Sequence, residues 1–427
     1  MEIKTPYGKG EKVLRIPPEV SVEFLKPHET TPMADLQAVF AQACRKPIGV
    51  PPLDELVGGG GNVVILVSDL TRSKGAEAVL PLCIEYLREL GVPPVSIQVI
   101  VARGTHRKLT KSEKAFFKKG AVAGIAVEEH DCDDPAKLSA LLLTQRGTPV
   151  RVNIGLKDAG LIIILAPVSF HYFAGFGGGR KLVLPGCADR HAILANHRMS
   201  LMETKPVALH PQCRPGVLDG NPVHEDMCEA VEALQHVFGI NFFTDESGRL
   251  SFLNAGDPIR SHLEACEAYE GVYRCTLERR HDVLVLSTGG YPYDINFLQS
   301  HKALRNSAGA LNEGGTVLFY AECVEGIGSA SLEAALSLKK KDFLKSAYEK
   351  YDLNNQTAVS LHELTEKYEI GMVSTMNVDL LLSWGIKPCV NAETFLAEAL
   401  EKHNADRVGV NLNGYTLLPQ LQSGGDR

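Results

Sequence analysis

Short runs of β-branched and aliphatic residues recur along the whole chain, separated by stretches with helical spacing. Apolar runs of about four to eight residues bounded by turn signals are typical of buried strands. Strands that alternate with helices indicate an α/β fold with mainly parallel sheets. The predicted strands are Asn62–Ser68, Ser96–Ala102, Leu161–Ala166, Asp282–Ser287, Gly315–Tyr320 and Arg407–Asn411.

Two intervening segments carry helix signals, and the length of the chain predicts two domains. Residues Ala76–Leu90 have helical spacing and end at Gly91, while Asn221 and Pro222 fit an N-cap and a first helical position. At 427 residues the chain exceeds the roughly 250–300 residues that one core supports. A charged stretch around residues 275–281 precedes a new strand. We therefore predict two α/β domains, 1–275 and 276–427, with the active site in the cleft between them.

Charge and composition exclude several classes of protein. A net charge of -7 gives no electrostatic reason to bind nucleic acid or an anionic membrane. No apolar run approaches the roughly 20 residues of a membrane helix, and residues 1–27 lack the apolar centre of a signal peptide. The ten cysteines contain no CxxC pair, which argues against a zinc ribbon or a disulfide scaffold. We expect a cytoplasmic protein with reduced cysteines and no nucleic-acid or membrane partner.

Glycines and ionisable side chains follow four of the predicted strands. In parallel α/β sheets, ligands bind outside the carboxyl ends of the strands, so these groups are expected to share one crevice. The longest motif of this kind lies in the segment FHYFAGFGGGRKLVLPGCADRHAILANHR, residues 170–198, which combines three histidines, a glycine-rich loop and an Arg–Lys pair. The segments that follow the strands are Asp69–Arg72, Arg103–His106, Pro167–His171 and Thr288–Pro292.

Each of these features also has a purely structural interpretation. Asp69 with Thr71 fits a helix cap as well as a phosphate or cofactor contact. The glycines permit either a tight turn or close approach of the backbone to an anion or a ring. His106 and His171, taken singly, fit hydrogen-bonded structural residues as well as catalysts. Arg72 favours ligand binding more strongly, because a planar guanidinium just past a strand end suits a carboxylate or phosphate.

Motifs of the common cofactor and hydrolase families are absent from the sequence. The first predicted strand is not followed by GxGxxG, and the chain has no GxxxxGK[ST], HExxH or GxSxG. The conventional nicotinamide, nucleoside-triphosphate, zincin and α/β-hydrolase interpretations therefore lack their main support. The residues alone indicate a two-domain α/β enzyme with a cleft that carries histidine and lysine.

At these residues the chain resembles the nickel-pincer-nucleotide-dependent lactate racemases and their 2-hydroxyacid racemase and epimerase relatives. The resemblance runs from the DLTR and GTH segments, residues 69–72 and 104–106, through HYFAGFGGGRKLVLPG to a QxxK element at Gln299 and Lys302. It implies an isomerase that racemises or epimerises a 2-hydroxyacid. It also implies, as partners, the enzymes that build the cofactor.

The resemblance further implies how the cofactor is held. Lys181 would be attached covalently to the nickel-pincer nucleotide, a Ni(II)-pyridinium-3,5-bisthiocarboxylate mononucleotide. Lys181 and His197 would form the protein part of the metal site, with His197 as the nickel ligand, because a neutral imidazole suits nickel. His191 has no such match. The nucleotide would be bound by Asp69, Leu70, Thr71 and Arg72.

The same resemblance implies an acid/base pair and a substrate site. His106 and His171 match the pair, in which one histidine removes the hydroxyl proton as hydride leaves the Cα for the cofactor. Hydride then returns to the other face of the reoriented ketoacid. Gln299, Lys302 and Arg72 would bind the substrate carboxylate.

The chain departs from the family at two positions, and two other functions remain as alternatives. Leu298 stands where lactate-active members tend to have an aromatic residue, which leaves open other 2-hydroxyacids, including a sugar acid. Trp384 lies in an apolar run and is predicted to be a core residue. The rivals are a carrier of the nickel nucleotide without turnover and a cofactor-independent racemase or dehydratase that uses the two histidines directly. Lys181 argues against the second rival, and the retained pair His106 and His171 argues against the first.

Overall fold

The computed structural model describes residues 1–69, 75–117 and 119–422. Within these residues the strands form two six-stranded sheets and five two-stranded pairings. Helices and loops pack on both faces of each large sheet. The predicted class, α/β with mainly parallel sheets, is confirmed.

The first sheet contains the three predicted strands of the N-terminal half. Five of its strands run parallel, and the edge strand Leu250–Gly256 pairs antiparallel with its neighbour. In order across the sheet, the strands are Leu250–Gly256, Val237–Thr244, Leu161–Pro167, Val63–Ser68, Ile97–Ala102 and Ala126–Glu129.

The second sheet contains the other three predicted strands and is parallel throughout. The predicted Gly315–Tyr320 strand begins earlier, at Leu311. In order across the sheet, the strands are Ile386–Pro388, Glu369–Val373, Leu311–Tyr320, His281–Ser287, Arg407–Asn411 and Ser21–Leu25.

Neighbouring residues of the central strands pack into different cores. Ile65 lies in one core of the first sheet and Leu66 in the other. Leu284 and Val285 are divided in the same way between the two cores of the second sheet. Side chains alternate between the faces of a sheet, so a strand covered on both faces needs an unbroken apolar run. This is why the predicted strands read as continuous runs.

The N-terminal segment differs from the predicted division of the chain. Ser21–Leu25 pairs in parallel with Arg407–Asn411, and Ile3 and Leu14 pack in the same core as Val283. Residues 1–25 therefore belong with the second sheet, whereas the prediction placed them in a domain spanning 1–275. Ser21–Leu25 is a half-exposed edge strand, so it lacks the long apolar run that identified the other strands. The boundary near residues 275–281 remains a prediction.

Smaller pairings and helices complete the structure. Asn221 caps its helix as predicted, because its side-chain oxygen accepts the backbone N–H groups of Val223 and His224. The two-stranded pairings are Glu2–Tyr7 with Gly10–Arg15, Leu138–Leu143 with Pro149–Asn153, Phe170–His171 with Gly175–Phe176, Leu201–Met202 with Ala208–Leu209, and Arg274–Leu277 with Leu418–Leu421. The α-helices are Leu36–Arg45, Leu53–Val57, Ala76–Glu89, Lys111–Phe116, Ile154–Lys157, Arg190–Arg198, Pro222–Glu232, Arg260–Tyr273, Phe297–Ser307, Ala330–Ser337, Lys340–Ser346, Asn355–Lys367, Val378–Ser383 and Ala392–His403.

Three predictions about composition can be compared with the structure. Trp384 is buried and packs against Phe297, which confirms it as a core residue. The ten cysteines all lie in the described residues and are free thiols. Among the described helices, none combines the length and apolar character that a bilayer crossing requires.

Candidate active site

A cleft with a volume of about 570 Å³ is lined by residues that follow strands of both sheets. Ser68 and Ala102 mark two strand ends of the first sheet, while Gly289 follows a strand of the second. The predicted common crevice is therefore present. Leu70, Thr71 and Arg72 lie outside the described residues. The other predicted site residues all line the cleft, namely Asp69, His106, His171, Lys181, His197, Gln299 and Lys302.

His106 is paired with a carboxylate at the edge of the first sheet where its parallel strands end. Its Nδ1 lies 2.5 Å from Oδ2 of Asp69, which is buried at the end of the neighbouring strand. The Arg103 guanidinium donates a hydrogen bond to the backbone carbonyl of His106 and lies 3.4 Å from Asp131. Asp69 therefore contacts the imidazole directly, and Arg103 holds the backbone that carries it.

His171 has a different environment, although it lines the same cleft. It lies on the two-residue strand Phe170–His171, and its Nδ1 accepts the backbone N–H of Ala174 at 3.3 Å. The Phe173 ring packs edge-on against the imidazole, with 4.6 Å between the ring centroids. The short hairpin thus fixes the ring through the main chain.

Glycine is required in the loop that precedes the lysine. Gly178 and Gly179 have φ values of 79° and 48°, in the left-handed region. A Cβ on Gly178 would lie 2.5 Å from the Pro167 carbonyl oxygen, and one on Gly179 would lie 2.5 Å from the His262 ring. The first approach holds the loop against the end of strand Leu161–Pro167, and the second holds it against helix Arg260–Tyr273. They also place the following turn of helix, which carries Lys181, in the cleft.

Arg180 supports this loop from inside the protein. It is completely buried and donates hydrogen bonds to the carbonyl oxygens of Ala174 and Phe176 at 2.8 and 3.1 Å. Its Nη1 lies 3.1 Å from Nε2 of His262. Burial, and then the nearby guanidinium, lower the pKa of His262 to about 3, so this imidazole stays neutral. The two residues of the Arg–Lys pair therefore have different roles, because Arg180 binds the loop and Lys181 lines the cleft.

Lys181 and His197 both contact the same aromatic ring, that of Phe173. The Lys181 side chain is mostly buried, and its Nζ lies 5.4 Å from the centroid of the Phe173 ring. The His197 ring packs against the same ring at 5.0 Å. The Nδ1 of His197 is 3.1 Å from Oδ1 of Asn196. An Nδ1–H donated to that oxygen would direct the lone pair of Nε2 away from the amide.

The second sheet contributes a helix that begins at the cleft. Asn296 caps helix Phe297–Ser307 by accepting the backbone N–H of Gln299 at 3.0 Å. Gln299 and Lys302 are three residues apart and therefore neighbours on the helix surface, and Lys302 Nζ donates to Gln299 Oε1 at 2.6 Å. Lys302 also lies 3.4 Å from the Tyr415 hydroxyl. This face presents an amide and an ammonium group, both suited to binding a carboxylate.

Sequence reasoning missed several residues of the site. Phe173 contacts His171, Lys181 and His197, yet nothing in its spacing distinguishes it from a core aromatic residue. Tyr172 hydrogen-bonds Thr357 at 2.7 Å and so joins the His171 hairpin to a helix of the second sheet. Both belong to the HYFAG motif. A systematic examination of every polar and aromatic residue in that motif would have included them.

Two family models match the chain over most of its length. The lactate racemase N-terminal domain matches residues 7–208, and the lactate racemase C-terminal domain matches residues 277–416. The lactate racemase of Thermoanaerobacterium thermosaccharolyticum is 30% identical over 329 residues, which cover 76% of this chain and 75% of that protein. The lactate racemase of Lactiplantibacillus plantarum is 30% identical over 293 residues, which cover 68% and 67%.

Solved structures agree with these sequence relationships. The lactate racemase apoprotein from Thermoanaerobacterium thermosaccharolyticum superposes with a TM-score of 0.87 at 26% identity, covering 98% of this chain and 100% of that one. A Thermotoga maritima protein shares the fold, with a TM-score of 0.67 at 18% identity over 92% of this chain and 100% of that one. The chain therefore belongs to the lactate racemase family and is an isomerase of the racemase type.

Proposed function

We propose that the protein inverts the configuration at carbon 2 of a 2-hydroxyacid, with His106 and His171 as acid and base and a nickel-pincer nucleotide attached to Lys181. One observation carries this proposal. The two histidines, the lysine, a further imidazole at His197 and a carboxylate-binding face line a single cleft. A carrier of the cofactor would have no use for the acid/base pair or for the carboxylate-binding face.

The substrate would be oriented by the second sheet. Lys302 would neutralise its carboxylate, and Gln299, already in contact with Lys302, would hydrogen-bond the same group. Leu298 lines the cleft next to Gln299, where the resemblance leads one to expect an aromatic residue in lactate-active members. We therefore include 2-hydroxyacids with larger or polar side chains, sugar acids among them, in the substrate class.

The donor set of the cleft fits a cofactor that brings most of its own metal ligands. Within the described residues, one group of three His, Cys, Asp or Glu side chains lies close enough together to hold a metal ion, namely Asp131, Cys132 and Asp133, and both of its carboxylates already contact arginines. His197 would therefore supply one nitrogen, with its ring oriented by Asn196, and Lys181 would hold the organic part. When bound, this group would accept the Cα hydrogen as hydride and return it.

The protein's own residues would move the proton and exclude water. One histidine would take the hydroxyl proton of the bound acid, and the other would return a proton after the planar ketoacid turns over. Phe173 contacts both His171 and the lysine and covers one wall of the site with an apolar ring. Lys302 would hold the carboxylate while the rest of the molecule reorients.

The test is to produce the protein with and without the enzymes that build the cofactor, then measure intact mass, nickel content and racemisation of a panel of 2-hydroxyacids. We expect a covalent mass increase at Lys181, near-stoichiometric nickel and inversion at carbon 2 in the first sample alone. Lys181→Ala should lose the modification, the nickel and the activity. Equal nickel content and equal activity in Lys181→Ala and the parent would contradict the proposal.

His106→Ala separates the proposal from its two rivals. We expect this variant to keep its nickel and to lose racemisation by about 100-fold or more, the usual contribution of a general base. A carrier would show no turnover even in the parent. A cofactor-independent enzyme would racemise the substrate in the nickel-free sample.

A further inference from the structure

A buried carboxylate contacts the asparagine that precedes His197 in the sequence. Asp226 is completely buried. Its Oδ1 accepts the Thr144 hydroxyl at 2.6 Å, and its Oδ2 accepts the Thr148 hydroxyl at 3.0 Å and Nδ2 of Asn196 at 2.9 Å. These contacts are all donors, as a buried carboxylate requires. Asp226 therefore joins the two threonines to the asparagine.

The threonines lie in a turn that is also held by another contact. This turn belongs to the hairpin of residues 138–153. In it, the backbone N–H of Gln145 donates to the Glu229 carboxylate at 2.8 Å, and Glu229 lies on the same helix as Asp226. The turn therefore has an anchor of its own on this helix. What distinguishes Asp226 from Glu229 is the contact with Asn196.

Two acceptors decide which way the Asn196 amide points. Nδ2 of Asn196 donates to the Val223 carbonyl oxygen at 3.1 Å and to Asp226 at 2.9 Å. Both partners are pure acceptors, so they would repel the amide oxygen, and the NH2 group must face them. The oxygen is then left on the other side, where it lies 3.1 Å from Nδ1 of His197. Of the two acceptors, Asp226 provides the stronger, charge-assisted hydrogen bond.

The orientation of this amide bears directly on the His197 ring. Asn196 is completely buried, and the Phe173 ring packs against the imidazole of His197 at 5.0 Å. The amide oxygen and the aromatic ring together restrict the rotation of the imidazole. A ring that is held in one orientation, with a carboxylate acting on it through a hydrogen-bonded group, is a better metal ligand than a freely rotating one.

We infer that Asp226 is a positioning residue for His197 and acts on it through the side chain of Asn196. That His197 binds nickel rests on the proposed function, whereas the orientation of Asn196 and its effect on the His197 ring do not. Asp226 lies outside the motifs that carry the family resemblance and is not among the residues that line the cleft. Its contribution is therefore made without touching substrate or cofactor.

The first test uses NMR of the apoprotein, with the ring signals of His197 assigned from His197→Gln. In the parent, both protons of the Asn196 amide should exchange slowly with solvent, because each has a buried acceptor. Asp226→Ala should speed up this exchange and shift the His197 ring nitrogen signals. Asp226→Leu also lacks an acceptor but fills the space that alanine leaves empty, so it serves if Asp226→Ala does not fold. Unchanged His197 signals in a folded variant would overturn the inference.

Two control variants loosen the turn but leave the contact between Asp226 and Asn196 in place. Thr148→Val removes a donor from the same carboxylate oxygen, and Glu229→Ala removes the second anchor of the turn. In both variants the His197 signals should stay at parent values. A shift as large as that in Asp226→Ala would show that loosening the turn is sufficient, which counts against the inference.

The second test follows nickel release to a chelator from protein produced together with the enzymes that build the cofactor. Asp226→Ala and Asn196→Leu should each release nickel about 10-fold faster than the parent or more, the usual effect of losing an outer partner of a metal ligand. If Asp226 acts through Asn196, the double variant should release nickel no faster than Asn196→Leu alone. Two effects that multiply would overturn the inference.

The two tests separate this inference from the proposed function. A parent that acquires no nickel would overturn the proposed function, and the NMR of the apoprotein would still decide whether Asp226 positions His197. A nickel-loaded, active parent together with an Asp226→Ala variant that releases nickel at the parent rate would overturn the inference alone.

Discussion

Arg180 and the loop it binds show how single residues prepare the site before any ligand is present. A guanidinium is among the most costly groups to bury, and burial lowers the pKa of Arg180. Its hydrogen bonds to the carbonyls of Ala174 and Phe176 offset part of that cost. Because the same bonds fix the backbone between His171 and Lys181, the spacing of these two cleft residues depends on a side chain that does not face the cleft.

The close contact at Gly179 gives a prediction about stability. Gly179→Ala should lower the free energy of unfolding by roughly 1–3 kcal/mol, because the residue has a positive φ and its Cβ would lie 2.5 Å from the His262 ring. Gly271→Ala is the matched control, since that glycine is helical and a Cβ there meets nothing within 4 Å. Urea unfolding should show the control as stable as the parent or more so. Equal midpoints for both variants would contradict this view of the loop.

At the scale of single residues, the sequence predicted which residues line the cleft better than it predicted their hydrogen-bond partners. His106 and His171 could be predicted to follow strand ends, and Lys181 to follow the glycine loop. Gln299 and Lys302 were implied by the family resemblance, and all five residues line the cleft. The Asp69–His106 bond could not be predicted, because it joins the ends of two neighbouring strands whose register the sequence does not state. The burial of the Arg180 guanidinium could not be predicted either, because it depends on carbonyl groups that the folded loop turns toward it.

Several residues of the candidate site lie just beyond the ends of strands. Strands Val63–Ser68 and Ile97–Ala102 are adjacent and parallel, so the residues that follow them meet at one edge of the sheet. Long apolar runs made both strands predictable from the sequence. Short elements such as the Phe170–His171 hairpin were not predictable, because two residues carry no periodic signal and the pairing depends on the glycines beyond them.

The N-cap of helix Phe297–Ser307 gives a prediction about substrate binding. Asn296→Ala should cost about 1 kcal/mol of stability, because the cap accepts the Gln299 N–H, and should raise KM, because Gln299 and Lys302 lie in the first turns of this helix. Asn391 caps helix Ala392–His403 in the same way, and it is not among the residues that line the cleft. Asn391→Ala should cost similar stability with KM unchanged. A KM that stays at the parent value in Asn296→Ala would show that the cap does not position the carboxylate-binding pair.

At the scale of the whole molecule, the two sheets are joined by more than the chain segment between them. Ser21–Leu25 extends the second sheet from the N-terminus, and Arg274–Leu277 pairs with Leu418–Leu421 near the other end of the chain. Tyr172, which lines the cleft, forms a hydrogen bond with Thr357. Such contacts between distant parts of the chain involve half-exposed strands and single hydroxyl groups. A division of the sequence into consecutive domains could not predict them.

Buried neutral histidines in both halves of the molecule give the last prediction, an acid-sensitive fold. Burial is the main cause that lowers the pKa of His262 to about 3, His301 to about 3 and His362 to about 4. In the unfolded chain these groups take up protons near pH 6.5, whereas in the folded protein they do so only near the lowered values. Between those limits the unfolded state binds more protons, so stability must fall as pH falls below about 6.5, by up to about 1.4 kcal/mol per pH unit for each group.

The measurement is the thermal midpoint at pH 7 and pH 5 for the parent and two variants. His262→Gln removes one of these groups and keeps a polar side chain, so its midpoint should fall less between the two pH values than that of the parent. His28→Gln changes an exposed histidine and should lose as much as the parent. If His262→Gln and the parent show the same loss, the neutral imidazole beside Arg180 does not contribute to the acid sensitivity, and the lowered pKa assigned to His262 would be wrong.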